Sequence, residues 1–163
     1  MRKFFLSALL ITAACSFFSC EEQECDQSMN NNAGFGFYTF QDSAEAEAAI
    51  STLSVYAEAR SDSLLYDSLL NRTNVRLPLD PSKDFSHFIF MMGPLNDTVK
   101  ISYSRELNLV SQACGFITNF AIKEATASHH LIDSIVVTNK EIKQNEDEQH
   151  FKIYFPPPDT TGQ

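Results

Sequence analysis

The residues able to do chemistry are few and scattered. No Gly-x-Ser-x-Gly elbow, His-Glu-x-x-His helix, glycine-rich phosphate loop or EF-hand loop occurs in the chain. His129 and His130 are adjacent. On a strand they point to opposite faces, which is poor geometry for sharing a metal. His87 shares a face with Phe85 and Ile89 and reads as a partly buried strand residue. Glu146-Asp147-Glu148 could gather a calcium ion with nearby carbonyls, although such a run more often forms a solvated turn. The expectation is therefore no catalytic residue, no metal and no cofactor. One enzymatic route stays open, a hydrolase built on an Asp/Glu pair that only the fold can assemble.

The cysteines carry more information. Arg2 and Lys3 form a basic head, Phe4 to Phe18 is apolar and uncharged, and Ser19 precedes Cys20. That is the layout of a secretory signal ending in a lipidation cysteine. Cys15, after Thr12-Ala13-Ala14, competes for the position. Cys20 is preferred because it ends the longer apolar run and is followed at once by acid. A secretory signal without lipid is the other reading. An uncleaved anchor would need about 20 apolar residues. Cys15 leaves with the signal and Cys20 takes the lipid, so Cys25 and Cys114 remain. An even pair in an oxidising compartment favours a disulfide over two buried thiols. It would close a loop of about 90 residues, worth roughly 4 kcal/mol in the chain-entropy picture.

Composition narrows the partners. The full chain has 12 basic and 21 acidic residues. Without Arg2 and Lys3, ten basic residues face twenty-one acidic ones, a formal charge of −11. Such a surface repels nucleic acid and anionic headgroups, so no nucleic-acid partner is expected. Fourteen Phe and no Trp indicate a filled apolar core and count against a Trp-lined sugar platform.

The elements that must position these residues read as strands. Residues 1–19 are the signal, 20–33 an acidic and polar tether, 34–155 the folded domain and 156–163 a disordered tail. Phe35, Phe37 and Thr39 share one face of a first strand, with Gly34 and Gly36 leaving room for close backbone approach. Gln41 to Ile50 suits a short helix by propensity, or an interstrand loop. Leu53, Val55 and Ala57 alternate with polar residues. Residues 62–70 are ambiguous between a helical turn and a strand. Val75, Leu77 and Leu79 surround Pro78, which places them at a sheet edge. Phe85 to Met92 reads as a buried strand. Val99, Ile101 and Tyr103 alternate, as do Leu107 and Leu109, and Ser104-Arg105-Glu106 between them reads as a hairpin turn. Phe116, Thr118, Phe120 and Ile122 form one face of the next strand. Ile135 with Val137, and Phe151 with Ile153 and Phe155, complete the set before Pro156-Pro157-Pro158. The expected fold is all-β, an antiparallel sandwich of about eight strands, with a small barrel as alternative.

Two resemblances follow. Glu21-Glu22-Gln23-Glu24 resembles the acidic export tetrad of surface-displayed Bacteroidota lipoproteins, and reads equally as a solvated linker. Six of the ten aspartates precede Ser or Thr and then an aliphatic residue or Thr, with acceptors at Ser43, Ser63, Ser68, Thr98, Ser134 and Thr160. This triplet resembles the acceptor of the general O-glycosylation system of Bacteroidota. Asp-Ser turns capping an element are its bland counterpart.

Cys20-Glu-Glu-Gln-Glu-Cys25, Val75-Arg-Leu-Pro-Leu79, Ile101-Ser-Tyr-Ser-Arg105 and Val110-Ser-Gln-Ala-Cys-Gly115 together resemble an uncharacterised family of small Bacteroidota lipoproteins, a domain of unknown function. The resemblance spans nearly the whole chain after the signal. It also implies a bridge between Cys25 and Cys114. Phe37-Tyr38-Thr39-Phe40 lacks the flanking charges of that pattern.

The functional expectation is a lipid-anchored extracytoplasmic β-sandwich with a non-catalytic binding or structural role. It would sit at the outer membrane, with outward display as the further expectation and the membrane as partner through its lipid. An exposed aromatic strip would favour a carbohydrate- or protein-binding accessory module of an envelope complex. A pocket holding two close carboxylates would favour the hydrolase.

Overall fold

A computed structural model describes residues 24–27, 29–143 and 148–157. The expected signal at 1–19, Cys20, Glu21, Glu22, Glu146, Asp147 and the last six residues, Thr160 among them, lie outside the described ones.

Two sheets face each other. In chain order the strands are β1 (Asn32–Gln41), β2 (Ala44–Glu47), β3 (Ile50–Ala57), β4 (Leu64–Arg72), β5 (Asn74–Pro78), β6 (Phe85–Met92), β7 (Leu95–Ser111), β8 (Gly115–Ala127), β9 (Ser134–Val137), β10 (Glu141–Ile142) and β11 (Phe151–Phe155). A single 3-10 turn, Glu58–Arg60, follows β3. One sheet runs β2-β1-β11-β9, with β5 sharing an edge of β1, and the other runs β10-β8-β7-β6-β3-β4. Neither sheet closes on itself, so the fold is a sandwich rather than a barrel.

Alternation drives the assembly. Phe35 and Phe37 on β1, Phe88 and Phe90 on β6, and Phe151 and Ile153 on β11 are buried. Phe35 stacks on Phe151 at 4.6 Å and meets Phe88 and Phe90 edge-on at 6.4 and 6.0 Å. These aromatic contacts across the interlayer add to the burial of the rings themselves.

Several expectations change. The sandwich is as expected, but the described residues form eleven strands where about eight were expected, and β1 pairs with β11 in parallel, Phe35 opposite Phe151. The Ala-Glu-Ala-Glu stretch is strand β2 rather than a helix. Asp42 and Ser43 have φ of 50° and 69°, so a two-residue turn folds Ala44 back onto Gln41. Residues 64–72 form edge strand β4, whose pairing with β3 is broken by irregularities and by Ser68 and Asn71 in the left-handed region. This twisting makes a poor template for a further strand, despite exposed Leu64, Leu65 and Leu70. No turn exists at Ser104-Arg105-Glu106. β7 continues through them to Ser111, and the chain reverses before Gly115, whose φ is 75°. β6 is buried on one face only, because Phe85, His87, Ile89 and Met91 point outward. His129 and His130 lie in the loop before β9 rather than on a strand.

Candidate functional site

Alternation that buries Phe35, Phe37 and Thr39 turns Tyr38 and Phe40 outward on β1. On β11 it turns Lys152 and Tyr154 outward beside them. Phe40 and Tyr154 stack at 5.3 Å with planes 7° apart, and Tyr38 lies 6.0 Å from Tyr154. The Lys152 ammonium sits 4.5 Å from the centroid of Tyr38. Glu45, from β2, accepts from Tyr154 at 2.7 Å and pairs with Lys152. Tyr38 donates to the side-chain carbonyl of Gln149 at 2.9 Å.

The electrostatics are self-consistent. Hydrogen bonds from Lys152 and Tyr154 hold Glu45 below the usual glutamate range. The same carboxylate holds the Lys152 and Tyr154 protons more tightly than usual. The face is thus an aromatic strip edged by one fixed ion pair and a polar amide. Stacking takes one face of Phe40 and one of Tyr154, and Phe40 is still about half exposed, 49%. Rings with adjacent acceptors and donors suit a sugar or a peptide. Tyr38, Phe40 and Tyr154 were missed as a group by sequence reasoning. Their signal was the outward half of the β1 alternation, hidden because both halves are aromatic.

A second feature lies at the opposite end of the molecule. β7 pairs with β6 only up to Ser102. β10 still flanks β8 at Phe120 and Ala121, and from Leu107 onward β7 and β8 run on as a two-stranded arm, with Leu107 opposite Thr118 and Leu109 opposite Phe116. Cys25 and Cys114 form a disulfide at its tip, with Cα atoms 4.7 Å apart. The Asn31 amide donates to the Thr118 carbonyl and to Asn119, both at 2.8 Å. The segment entering β1 is therefore fastened to the arm at two places.

Carboxylates line two of the clefts among the described residues. A cleft of about 640 Å³ opens beside β2 and the β6–β7 turn, lined by Ile50, Met92, Leu131 and Phe155, with Glu47 as its single carboxylate. Another, of about 380 Å³, holds Glu58 and Asp80. Glu58 pairs with His87 at 2.7 Å. Asp80 accepts from the side chain and backbone of Ser82, which hold its carboxyl below the usual range. That is the wrong direction for a general acid. No group of three His, Cys, Asp or Glu residues suited to a metal occurs among the described residues. Glu148, the described member of the proposed calcium run, accepts from the Asn139 amide.

The O-glycosylation acceptors fall in unlike settings. Ser43 is exposed in the β1–β2 turn, Ser63 in the turn before β4, and Ser68 on edge strand β4. Ser134 is half-buried at the start of edge strand β9. Thr98 is mid-strand in β7, and its aspartate is committed elsewhere. Asp97 is fully buried. It accepts from the Ser128 hydroxyl at 2.7 Å and from the backbone N–H groups of His130, Leu131 and Ile132 at 2.9, 2.7 and 3.0 Å. Burial pushes this carboxyl up, but the hydrogen bonds outweigh it and hold it below the usual range. Asp97 shapes the loop that carries both histidines.

No curated protein and no solved structure matches the chain. Residues 52–155, from β3 through β11 and including the whole arm, match the family of unknown function DUF6452, and the chain belongs to that family.

Proposed function

We propose that this chain is a lipid-anchored, extracytoplasmic β-sandwich of the outer membrane, displayed outward, with a non-catalytic binding role. The observation that carries the reading is the Cys25–Cys114 disulfide. A disulfide suits an oxidising compartment. It also fixes the end of an acidic tether that begins, on this reading, at acylated Cys20. The membrane is the partner at that end.

The other end supplies the binding face. Asn31 is bonded to the arm, and β1 runs extended from Asn32 to Gln41. Phe40 therefore lies about 30 Å from Asn31. The strip of Tyr38, Phe40 and Tyr154 is presented away from the tether. This favours the accessory-module version of the role, with a glycan or an extended protein segment as the envelope partner.

The test is cell fractionation. Cys20→Ser releases the protein from the membrane fraction, whereas Cys15→Ser leaves it there. A Cys20→Ser protein that remains membrane-bound and acylated contradicts the anchor. Replacing Glu21, Glu22 and Glu24 with Ala lowers protease accessibility on whole cells if the tetrad directs export. Unchanged accessibility removes outward display. Phe40→Ala with Tyr154→Ala abolishes retention on the native partner while the fold persists. Unchanged retention moves the binding role off this face.

A further inference from the structure

The β7–β8 arm carries apolar side chains on the wrong face for a solvent-exposed ribbon. Tyr103 on β7 and Phe120 on β8 point into the core, where their rings meet edge-on at 5.1 Å. Counting by twos along the strands, Arg105, Leu107 and Leu109 continue the face of Tyr103, while Thr118 and Phe116 continue that of Phe120. Arg105 marks where cover ends. Its guanidinium donates to Asp84 and to the Pro81 carbonyl, both at 2.8 Å, closing the loop over the core. Past that point the core-side face has no opposing sheet among the described residues. Leu107, Leu109 and Phe116 are 65%, 59% and 60% exposed.

The arm is also uncharged. From Leu107 to Ile122 the sequence contains no Asp, Glu, Lys, Arg or His. The acids nearest the tip, Glu24 and Asp26, flank Cys25 on the tether, so the strands of the arm themselves present no charge to an anionic surface.

Chain length says what covers it. Cys25 is five Cα-to-Cα steps from Cys20, a span of at most roughly 18 Å when extended. Cys114 lies 4.7 Å further on, Cα to Cα. An acyl chain on Cys20 would therefore keep the tip of the arm within roughly 23 Å of the headgroup layer, close enough for it to reach the interface. We infer that the arm is a membrane-contacting element: Leu107, Leu109 and Phe116 enter the lipid interface beside the acyl anchor and fix the orientation of the sandwich. This rests on the anchor reading of Cys20. One lipid moiety alone leaves a domain free to tumble on its tether. A rigid apolar hairpin next to it adds a second contact and stands the sheets upright, with the Phe40 strip facing away.

The chain contains no Trp, so a single introduced one is a clean probe. Phe116→Trp is made in the full chain, and the mature protein is placed on phosphatidylethanolamine–phosphatidylglycerol vesicles with brominated acyl chains. Leu107→Trp is the second probe. Leu70→Trp, exposed and paired with Thr52 at the far end of the sandwich, is the control. Intact mass reports acylation of the same samples. The expected result is a blue shift and strong quenching by brominated lipid at positions 116 and 107, and neither at 70. Water-like, unquenched emission at 116 and 107 from vesicle-bound protein overturns the proposal. So does a blue shift that tracks protein concentration and ignores brominated lipid, which would mark a second copy as the occupant. A missing acyl mass sinks the anchor reading instead. Quenching of that protein at excess vesicle still decides the arm.

Discussion

The backbone N–H of Gly34 donates to Nδ1 of His150 at 3.0 Å, and the His150 N–H returns a bond to the Gly34 carbonyl at 2.9 Å. His150 is fully buried. It extends the parallel pairing of β1 with β11 by one residue, using its side chain as well as its backbone. As acceptor, Nδ1 must be unprotonated. Burial pushes the imidazole below the usual histidine range and the Arg76 charge adds to this, while Glu148 and the Glu141 carbonyl pull the other way.

A pH dependence follows. The unfolded chain takes up a proton near the ordinary histidine pKa of about 6.5, and the folded chain does so only at lower pH. His150 thus contributes stability that is fully present above that pH and is lost as pH falls towards the folded value. Urea denaturation between pH 7.5 and 5 should show falling stability. His150→Gln keeps a side-chain acceptor and should flatten that fall by up to about 1.4 kcal/mol per pH unit. An equal slope in both proteins assigns the dependence to other groups.

Gly34 and Gly36 should respond differently to the same methyl group. A Cβ at Gly34 would stand 2.3 Å from the Glu148 carbonyl oxygen, which is backbone. At Gly36 it would meet the side chain of Gln149 at 2.3 Å, and a side chain can swing away. Gly34→Ala is expected to cost about 2–3 kcal/mol and Gly36→Ala clearly less. Thermal melts rank the two. The reverse order contradicts the close approach of residues 148–150 to β1.

Asp97→Asn keeps the shape and loses the charge. An amide cannot accept at both positions, so some of the four donors from Ser128 to Ile132 go unpaired. The expected cost is about 3 kcal/mol at pH 7. The native carboxyl sits below its usual range, so its contribution is present above pH of about 4 and disappears as pH falls through the folded value. The gap between variant and native protein should narrow in acid. A gap independent of pH would mean that Asp97 is not held ionised.

Glycan occupancy should follow the exposure of the acceptors. Ser43 and Ser63 are the expected sites among the described residues, with Ser68 next on its irregular edge strand, and Thr160 is expected from its place in the sequence after Pro156-Pro157-Pro158. Ser134 is half-buried, and Thr98 follows an aspartate already fully engaged, so modification after folding should skip both. A glycan on β4 would cover one edge of the larger sheet, and one on β9 an edge of the smaller, opposing edge pairing there. The intact mass of native-host protein should exceed the bare lipoprotein by whole glycan units and fall with Ser63→Ala and Thr160→Ala. A bare mass returns all six triplets to turn chemistry.

The legible parts of the fold were those where side chains alternate strongly. Phe35 with Phe37, Leu53 with Val55, and Phe151 with Ile153 each marked a buried strand face, and Pro78 marked an edge. Asp42-Ser43 was readable as a turn, but Ala-Glu-Ala-Glu after it has helical propensity that pairing with β1 overrides. Ser104-Arg105-Glu106 looked like a break because polarity interrupts the apolar rhythm there. Arg105 is instead held by Asp84 and Pro81 on a continuous strand. Parallel pairing of β1 with β11 brings together residues over 100 positions apart, and local pattern carries no trace of that. The same distance hid the candidate site, whose rings come from both strands. Cys25 with Cys114 was readable because few partners were left. The uncharged run from Leu107 to Ile122 was in plain view, but its meaning depended on knowing that the arm outruns the opposite sheet.

The proposed orientation of the sandwich requires that an acylated Cys20 be joined to the arm tip through Cys25, five positions along the chain. Non-reducing peptide mapping of the mature protein from its native membrane tests this in one spectrum. The predicted species is an N-terminal peptide that begins at acylated Cys20 and is disulfide-linked through Cys25 to the peptide containing Cys114. An N-terminus upstream of Cys20, an unmodified Cys20, or an alkylatable thiol at Cys114 would contradict it.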